Sequence, residues 1–161
     1  MNPEVLSAQN SFFVTFVASL LIWLMFIGVG ILWFIDGKIK KEQALHAIFS
    51  IIIAGSIVYL IKTLFPTLRP FQFDGRPPLT LTIPGDGSFP SNHAAISFAL
   101  AVSVYLHNKK AGLFFIACAI LISAGRIFSN VHSISDVIVG SLIGIAVAHT
   151  IQKLHLFKAL R

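Results

Sequence analysis

Five apolar runs, at about residues 12–35, 44–64, 94–106, 112–125 and 137–152, take up most of this 161-residue chain and leave it few ways to fold. In a lipid interior the backbone must satisfy its own N–H and C=O groups, so such runs are read as helices. A helix crosses a bilayer with about 20 apolar residues. The first two runs are long enough alone. The other three reach that length by drawing in flanking polar residues, which a helix facing a protein interior tolerates. Composition agrees, with 56% hydrophobic and only 11% charged residues and a mean hydropathy of +0.86. The expectation is an all-α, polytopic transmembrane helical bundle of about five spans, one domain over 1–161.

The first run is too long for the core of a cleaved leader, and residues 1–11 carry Glu4 and no basic residue, so the run is expected to stay as an anchor. Loops left on the cytoplasmic side retain Lys and Arg. With five spans, Lys38, Lys40 and Lys41, Lys109 and Lys110, and Lys153, Lys158 and Arg161 share one side, which is eight of the twelve basic residues. The bias puts the N-terminus outside and the chemistry at the outer face. Topology accounts for most of the net charge of +6, so no nucleic-acid partner is needed to explain it. The connection 65–92 holds six of the seven prolines with Gly75, Gly85 and Gly87, and is read as an irregular outer cap. Cys118, the single cysteine, lies within a predicted span and is assigned to packing.

Against this background, three clusters concentrate charge and histidine. In Lys62-x6-Arg69-Pro70, two cations and a proline stop stand at a span end, where either cation alone would merely snorkel. Together they can grip an anion, Arg as a planar fork and Lys as a point charge. In Pro90-Ser91-Asn92-His93, Ser91 or Asn92 caps a helix, and the free N–H groups of that helix start form an anion site with His93 as a titratable neighbour. In Arg126-x5-His132-x3-Asp136, imidazole and carboxylate share a helix face. Ser133-x-x-Asp136 also fits a capping box, in which the carboxylate binds only backbone.

The three clusters resemble the type 2 phosphatidic acid phosphatase family of membrane lipid phosphatases, whose pattern is K-x6-R-P, P-S-G-H and S-R-x5-H-x3-D. Order and internal spacing agree across about 75 residues. Two positions depart: Asn92 stands where the family has glycine, and Gly125 where it has the serine before Arg126. Members usually have six spans with three ahead of the first motif, and this chain shows two.

The resemblance implies a metal-independent phosphatase working through a phosphohistidine. His132 would attack phosphorus, Asp136 would fix its tautomer, and His93 would protonate the leaving oxygen and then activate water. Lys62, Arg69, Arg126 and Ser91, with the backbone N–H of Asn92, would hold the phosphate oxygens. Three cations would stand in for Mg²⁺, so no cofactor is expected. The expected partner is a phosphorylated lipid. Undecaprenyl diphosphate ranks first, since a residue other than glycine at position 92 goes in the family with polyprenyl diphosphates, and phosphatidylglycerol phosphate and phosphatidic acid follow.

Other classes remain open at this point. His93, His132 and Asp136 could ligate a metal, although the surrounding cations oppose one. A transporter would place polar groups in its spans, which here are nearly free of charge. A silent member would only bind lipid. Duller roles go to His46, His107, His149 and His155 as interfacial residues, to Gly140-x3-Gly144 as a packing seam, and to Trp23 and Trp33 as residues facing lipid or neighbouring helices. Asp74, Arg76 and Asp86 stand in the outer loop where a headgroup would arrive.

Overall fold

The computed structural model describes residues 3–34 and 38–154. Its elements are α1 (Pro3–Ser19), α2 (Leu21–Phe34), α3 (Lys38–Leu64), α4 (Pro70–Asp74), α5 (Asn92–His107), α6 (Lys109–Phe128) and α7 (Ile134–Lys153), with no strand among the described residues. Among the described residues each of the five apolar runs falls on helix, the first with an interruption at Leu20. Three stretches, Lys41–Leu64, Lys109–Phe128 and Ile134–Lys153, are long and apolar enough to cross a membrane on their own. α5 has 16 residues, a rise of about 24 Å at about 1.5 Å per residue.

The first run is not the single straight span expected. It breaks at Leu20, and Ser11–Ser19 and Leu21–Ile31 are bent by 41°, so the pair counts as a fourth span only if taken as one. No proline or glycine sits at the break. Instead Arg126 Nη1 donates to the Ala18 carbonyl at 3.0 Å, a side chain entering the helix ladder at the point where it is interrupted.

α5 is the axis of the bundle and packs against α3, α6 and α7. On one side Leu100, Ala101 and Val104 meet Ile22, Met25, Ala47, Phe115 and Ile122. On the other, Ala95 and Ala99 meet Ala54, Val58, Val147 and Ile151. Cys118 is buried in the first cluster, as its assignment to packing requires. Small residues on α7 let backbones touch. A Cβ at Gly140 would lie 2.4 Å from the Ser91 carbonyl oxygen, and one at Gly144 would lie 2.2 Å from that of Ala95, so the Gly140-x3-Gly144 seam brings α7 onto α5 backbone. The outward faces carry Ile52, Tyr59, Phe114, Leu121, Ile138 and Leu142, all exposed, as lipid-facing surface requires and water-facing surface does not.

His46 departs from its interfacial assignment. It is buried, with Nδ1 3.0 Å from His107 Nε2 and Nε2 2.9 Å from the Ala148 carbonyl, tying α3 to α5 and α7. His149 is exposed, and His155 lies outside the described residues.

Candidate active site

The three clusters converge at one end of the bundle because each sits at a helix end. Lys62 ends α3, Asn92 and His93 open α5, Arg126 stands in the last turn of α6, and Asp136 in the first turn of α7. The connection 65–91 folds over this end and supplies Arg69. Lys62, Arg69, Asn92, His93, Arg126 and His132 all line one cavity of about 450 Å³. Ser91 and Asp136 do not. The Ser91 hydroxyl accepts from the Ala94 N–H at 3.5 Å and caps α5, and Asp136 stands behind His132.

His132 lies in the short turn between α6 and α7, shaped by Asn130 in the left-handed region at φ 63°, which Asn tolerates. Its Nδ1 is 3.4 Å from Asp136 Oδ2. That carboxylate oxygen also accepts from Ser88 Oγ at 2.6 Å and from the Ser133 N–H at 2.8 Å. Both readings of Asp136 therefore hold at once: the capping box forms, and the same oxygen faces the imidazole. With Nδ1 directed at a carboxylate, that nitrogen carries the proton and Nε2 keeps its lone pair. Arg69 Nη1 stands 3.2 Å from Nε2.

The cations are held by backbone as much as by charge. Arg69 gives to the carbonyls of Asp86 (3.0 Å) and Val131 (2.8 Å). Lys62 gives to the Gly87 carbonyl. Asp86 pairs with both, Oδ2 at 2.8 Å from Lys62 Nζ and Oδ1 at 2.8 Å from Arg69 Nη2. Burial alone would raise the Asp86 carboxyl, but its bonds to Lys62 and Arg69 outweigh this and hold it at about 2. The Arg126 Nε and Asn92 Oδ1 atoms are buried and unpaired, and both residues line the cavity, as groups reserved for a ligand would.

Gly125 is explained by packing. A Cβ there would lie 2.9 Å from Val17 Cγ1 and 3.0 Å from the Ala18 N, so the missing side chain lets α1 close on α6 beside the site. Three residues escaped the sequence reading or were left without a role. Ser88 belongs to none of the motifs, Asp86 was placed only as a loop residue, and Trp23, assigned to lipid or helix contact, lines the cavity. Proximity in sequence to Pro90 was the available signal for Ser88. Nothing pointed to Trp23, which reaches the cavity through the bend at Leu20. Among the described residues, no group of three or more His, Cys, Asp or Glu is placed to hold a metal ion. Asp136, a member of the metal-site alternative, is committed to His132, Ser88 and Ser133.

His132 is kept neutral. Burial lowers its pKa most, the Asp136 hydrogen bond pulls upward, and Arg69, Arg126 and Lys62 push down again, leaving it at about 4 against an ordinary 6.5. Because the folded form binds fewer protons than the unfolded chain between those values, this group contributes stability above pH 6.5 that is lost as the pH falls towards 4, about 3 kcal/mol at most. Thermal unfolding in detergent is expected to show the wild-type protein losing more stability than His132→Gln between about pH 7 and pH 4.5. Parallel curves would remove the assignment.

A family model described as the PAP2 superfamily matches residues 43–158. The chain is 24% identical over 132 residues to the bacitracin transport permease protein BcrC of Bacillus licheniformis, covering 82% of this chain and 65% of that one. It is 33% identical over 108 residues to an undecaprenyl-diphosphatase of Sulfolobus acidocaldarius, covering 66% of this chain and 52% of that one. The chain thus spans between half and two thirds of the length of these relatives. Among solved structures, it is similar to Aquifex aeolicus LpxE at 26% identity and a TM-score of 0.74, covering 95% of this chain and 88% of that chain. It shares its fold with a PAP2-type phosphatidylglycerolphosphate phosphatase of Bacillus subtilis, at 19% identity and a TM-score of 0.65 over 96% and 78% of the two chains.

Proposed function

The chain belongs to the PAP2 superfamily of membrane lipid phosphatases, and from that premise we propose that it hydrolyses the phosphate or diphosphate headgroup of a membrane lipid through a phosphohistidine on His132. Undecaprenyl diphosphate is the first candidate substrate. The observation that carries the reading is His132 itself: Nδ1 faces the Asp136 carboxylate, Nε2 keeps its lone pair, and the ring lines a cavity shared with Lys62, Arg69 and Arg126.

In the first half-reaction the Nε2 lone pair attacks phosphorus, the bond from phosphorus to the leaving oxygen breaks, and His93 delivers a proton to that oxygen. Asp136 stabilises the imidazolium that develops, and Ser88 and the Ser133 N–H keep the carboxylate in place. In the second, His93 takes a proton from water, whose oxygen attacks the phosphohistidine, releasing orthophosphate and restoring His132. The cations carry the charge on the nonbridging oxygens, a role metal ions fill in many phosphoryl transfers. Ser91 acts by capping the helix that presents Asn92 and His93.

The undecaprenyl-diphosphatase relative and Asn92 both support a diphosphate. The Asn92 amide lines the cavity with its oxygen unpaired, so it can turn either end to a second phosphate. The Lys and Arg bias supports a site at the outer face of a bacterial cytoplasmic membrane, where the product would be the recycled lipid carrier of cell-wall synthesis. The test is phosphate release by the purified protein in detergent with EDTA, from undecaprenyl diphosphate, phosphatidylglycerol phosphate and phosphatidic acid in parallel. Release that persists in EDTA and is fastest from the diphosphate is expected. Loss of release to EDTA would end the metal-free mechanism, and silence towards all three lipids would end the phosphatase reading.

A further inference from the structure

Counting donors at Arg69 shows a site already filled. A guanidinium has five N–H groups, and each has an acceptor here. Nε gives to the Asp86 carbonyl (3.0 Å), and Nη1 gives to the Val131 carbonyl (2.8 Å) and to His132 Nε2 (3.2 Å). Nη2 gives to Asp86 Oδ1 (2.8 Å) and to the Gly87 carbonyl (3.2 Å). Lys62 spends two of its three protons on Asp86 Oδ2 and the Gly87 carbonyl. A phosphate can take Arg69 in its charged fork only by displacing a partner, and the displaceable one is Asp86. Its side chain is 57% exposed, whereas that of Arg69 is 3% exposed. Its neighbour Gly85 has open space around it, and the chain is fastened just beyond, where Ser88 N–H gives to the Thr67 carbonyl (2.9 Å) and Phe89 N–H to Thr67 Oγ1 (2.8 Å). Rotation of the exposed Asp86 side chain can therefore swing the carboxylate out while the Asp86 and Gly87 carbonyls keep their bonds to Arg69 and Lys62.

We infer that Asp86 is a specificity-determining residue, a built-in carboxylate that occupies the phosphate subsite on Lys62 and Arg69 and must be displaced by the substrate headgroup. The inference deepens the phosphatase reading and rests on it. A singly charged anion offers those two cations little that Asp86 does not already give. A phosphate with two or more charges and three free oxygens offers more, with oxygens to spare for the unpaired Nε of Arg126, which lines the same cavity. A phosphate oxygen arriving beside Arg69 takes the Nη1 proton now given to His132 Nε2, while the Val131 bond holds the guanidinium in place, so the lone pair is freed when a phosphate is present to receive it. After hydrolysis the returning carboxylate competes with orthophosphate and helps it leave.

The test is the affinity of orthophosphate for the full-length protein in detergent, read as thermal stabilisation and as inhibition of lipid turnover, in wild type, Asp86→Asn and Asp86→Ala. Asp86→Asn keeps the size and the acceptor oxygen. Removing the competing charge is expected to tighten orthophosphate binding about tenfold or more in both variants. Unchanged or weaker binding in both would overturn the inference and show a carboxylate that merely holds its two cations in place. Thermal stabilisation needs no turnover, so silence towards every lipid would remove the phosphatase reading and leave this measurement intact.

Discussion

Replacement of His132 by alanine should lower phosphate release by about 10⁴-fold or more, while the protein stays folded and still binds orthophosphate. The size of the effect follows from what the ring does. On the proposed mechanism no neighbour can take over as nucleophile: Asp136 is turned away from the cavity and spent on Ser88 and Ser133, and His93 would be engaged as the proton donor. Binding should survive because the cations are anchored elsewhere, Arg69 on the Val131 and Asp86 carbonyls, Lys62 on that of Gly87 and Arg126 on that of Ala18. Initial rates and an orthophosphate melting shift on the same preparation check both halves. Residual turnover above about one per cent would mean that phosphorus is attacked by something other than this histidine.

Gly144→Val should damage the fold severely. The Cβ alone would stand 2.2 Å from the Ala95 carbonyl and 2.8 Å from the Ala99 N, contacts with backbone that no rotamer change relieves. Two helices must separate, and overpacking of this kind costs about 1–3 kcal/mol or more. α5 and α7 carry His93 and Asp136, so the loss should be visible both as a lower melting temperature and as lower turnover. A variant that melts with the wild type would show that the seam has slack. Gly144→Ala should fall between the two.

What could be read before the structure, and what could not, follows from how each feature is encoded. Lys62, Asn92, His93, Arg126 and Asp136 were legible because motif spacing fixes where each stands on a helix end, and helix ends at the same side of a bundle must meet. The two-fold use of Asp136, as cap and as partner of His132, was legible only as two alternatives, since a sequence does not say that one oxygen serves both. The break at Leu20 was hidden because its cause lies about a hundred residues away in Arg126, with no proline or glycine to mark it. The burial of His46 was hidden for a similar reason: its partners are on α5 and α7, and a histidine near a span end looks the same whether it faces water or a helix. Asp86 lay in a proline-rich connection with no periodicity, so nothing local could show that it reaches Lys62 and Arg69.

The bend at Leu20 also bears on how relatives of this chain can diverge. The family model begins at residue 43, yet Ser19 and Trp23 help wall the cavity and Ala18 supplies a carbonyl to Arg126. These contributions differ in what they ask of heredity. A main-chain oxygen is present whatever residue is encoded at position 18, provided that it is small enough for a site with no exposure, so the tie to Arg126 can outlast drift in α1. The indole at position 23 has no such insurance, and a single codon change replaces the surface that a lipid would meet. Lineages can therefore retune what enters the cavity through α1 and α2 without touching Lys62, Arg69, His93, Arg126 or His132.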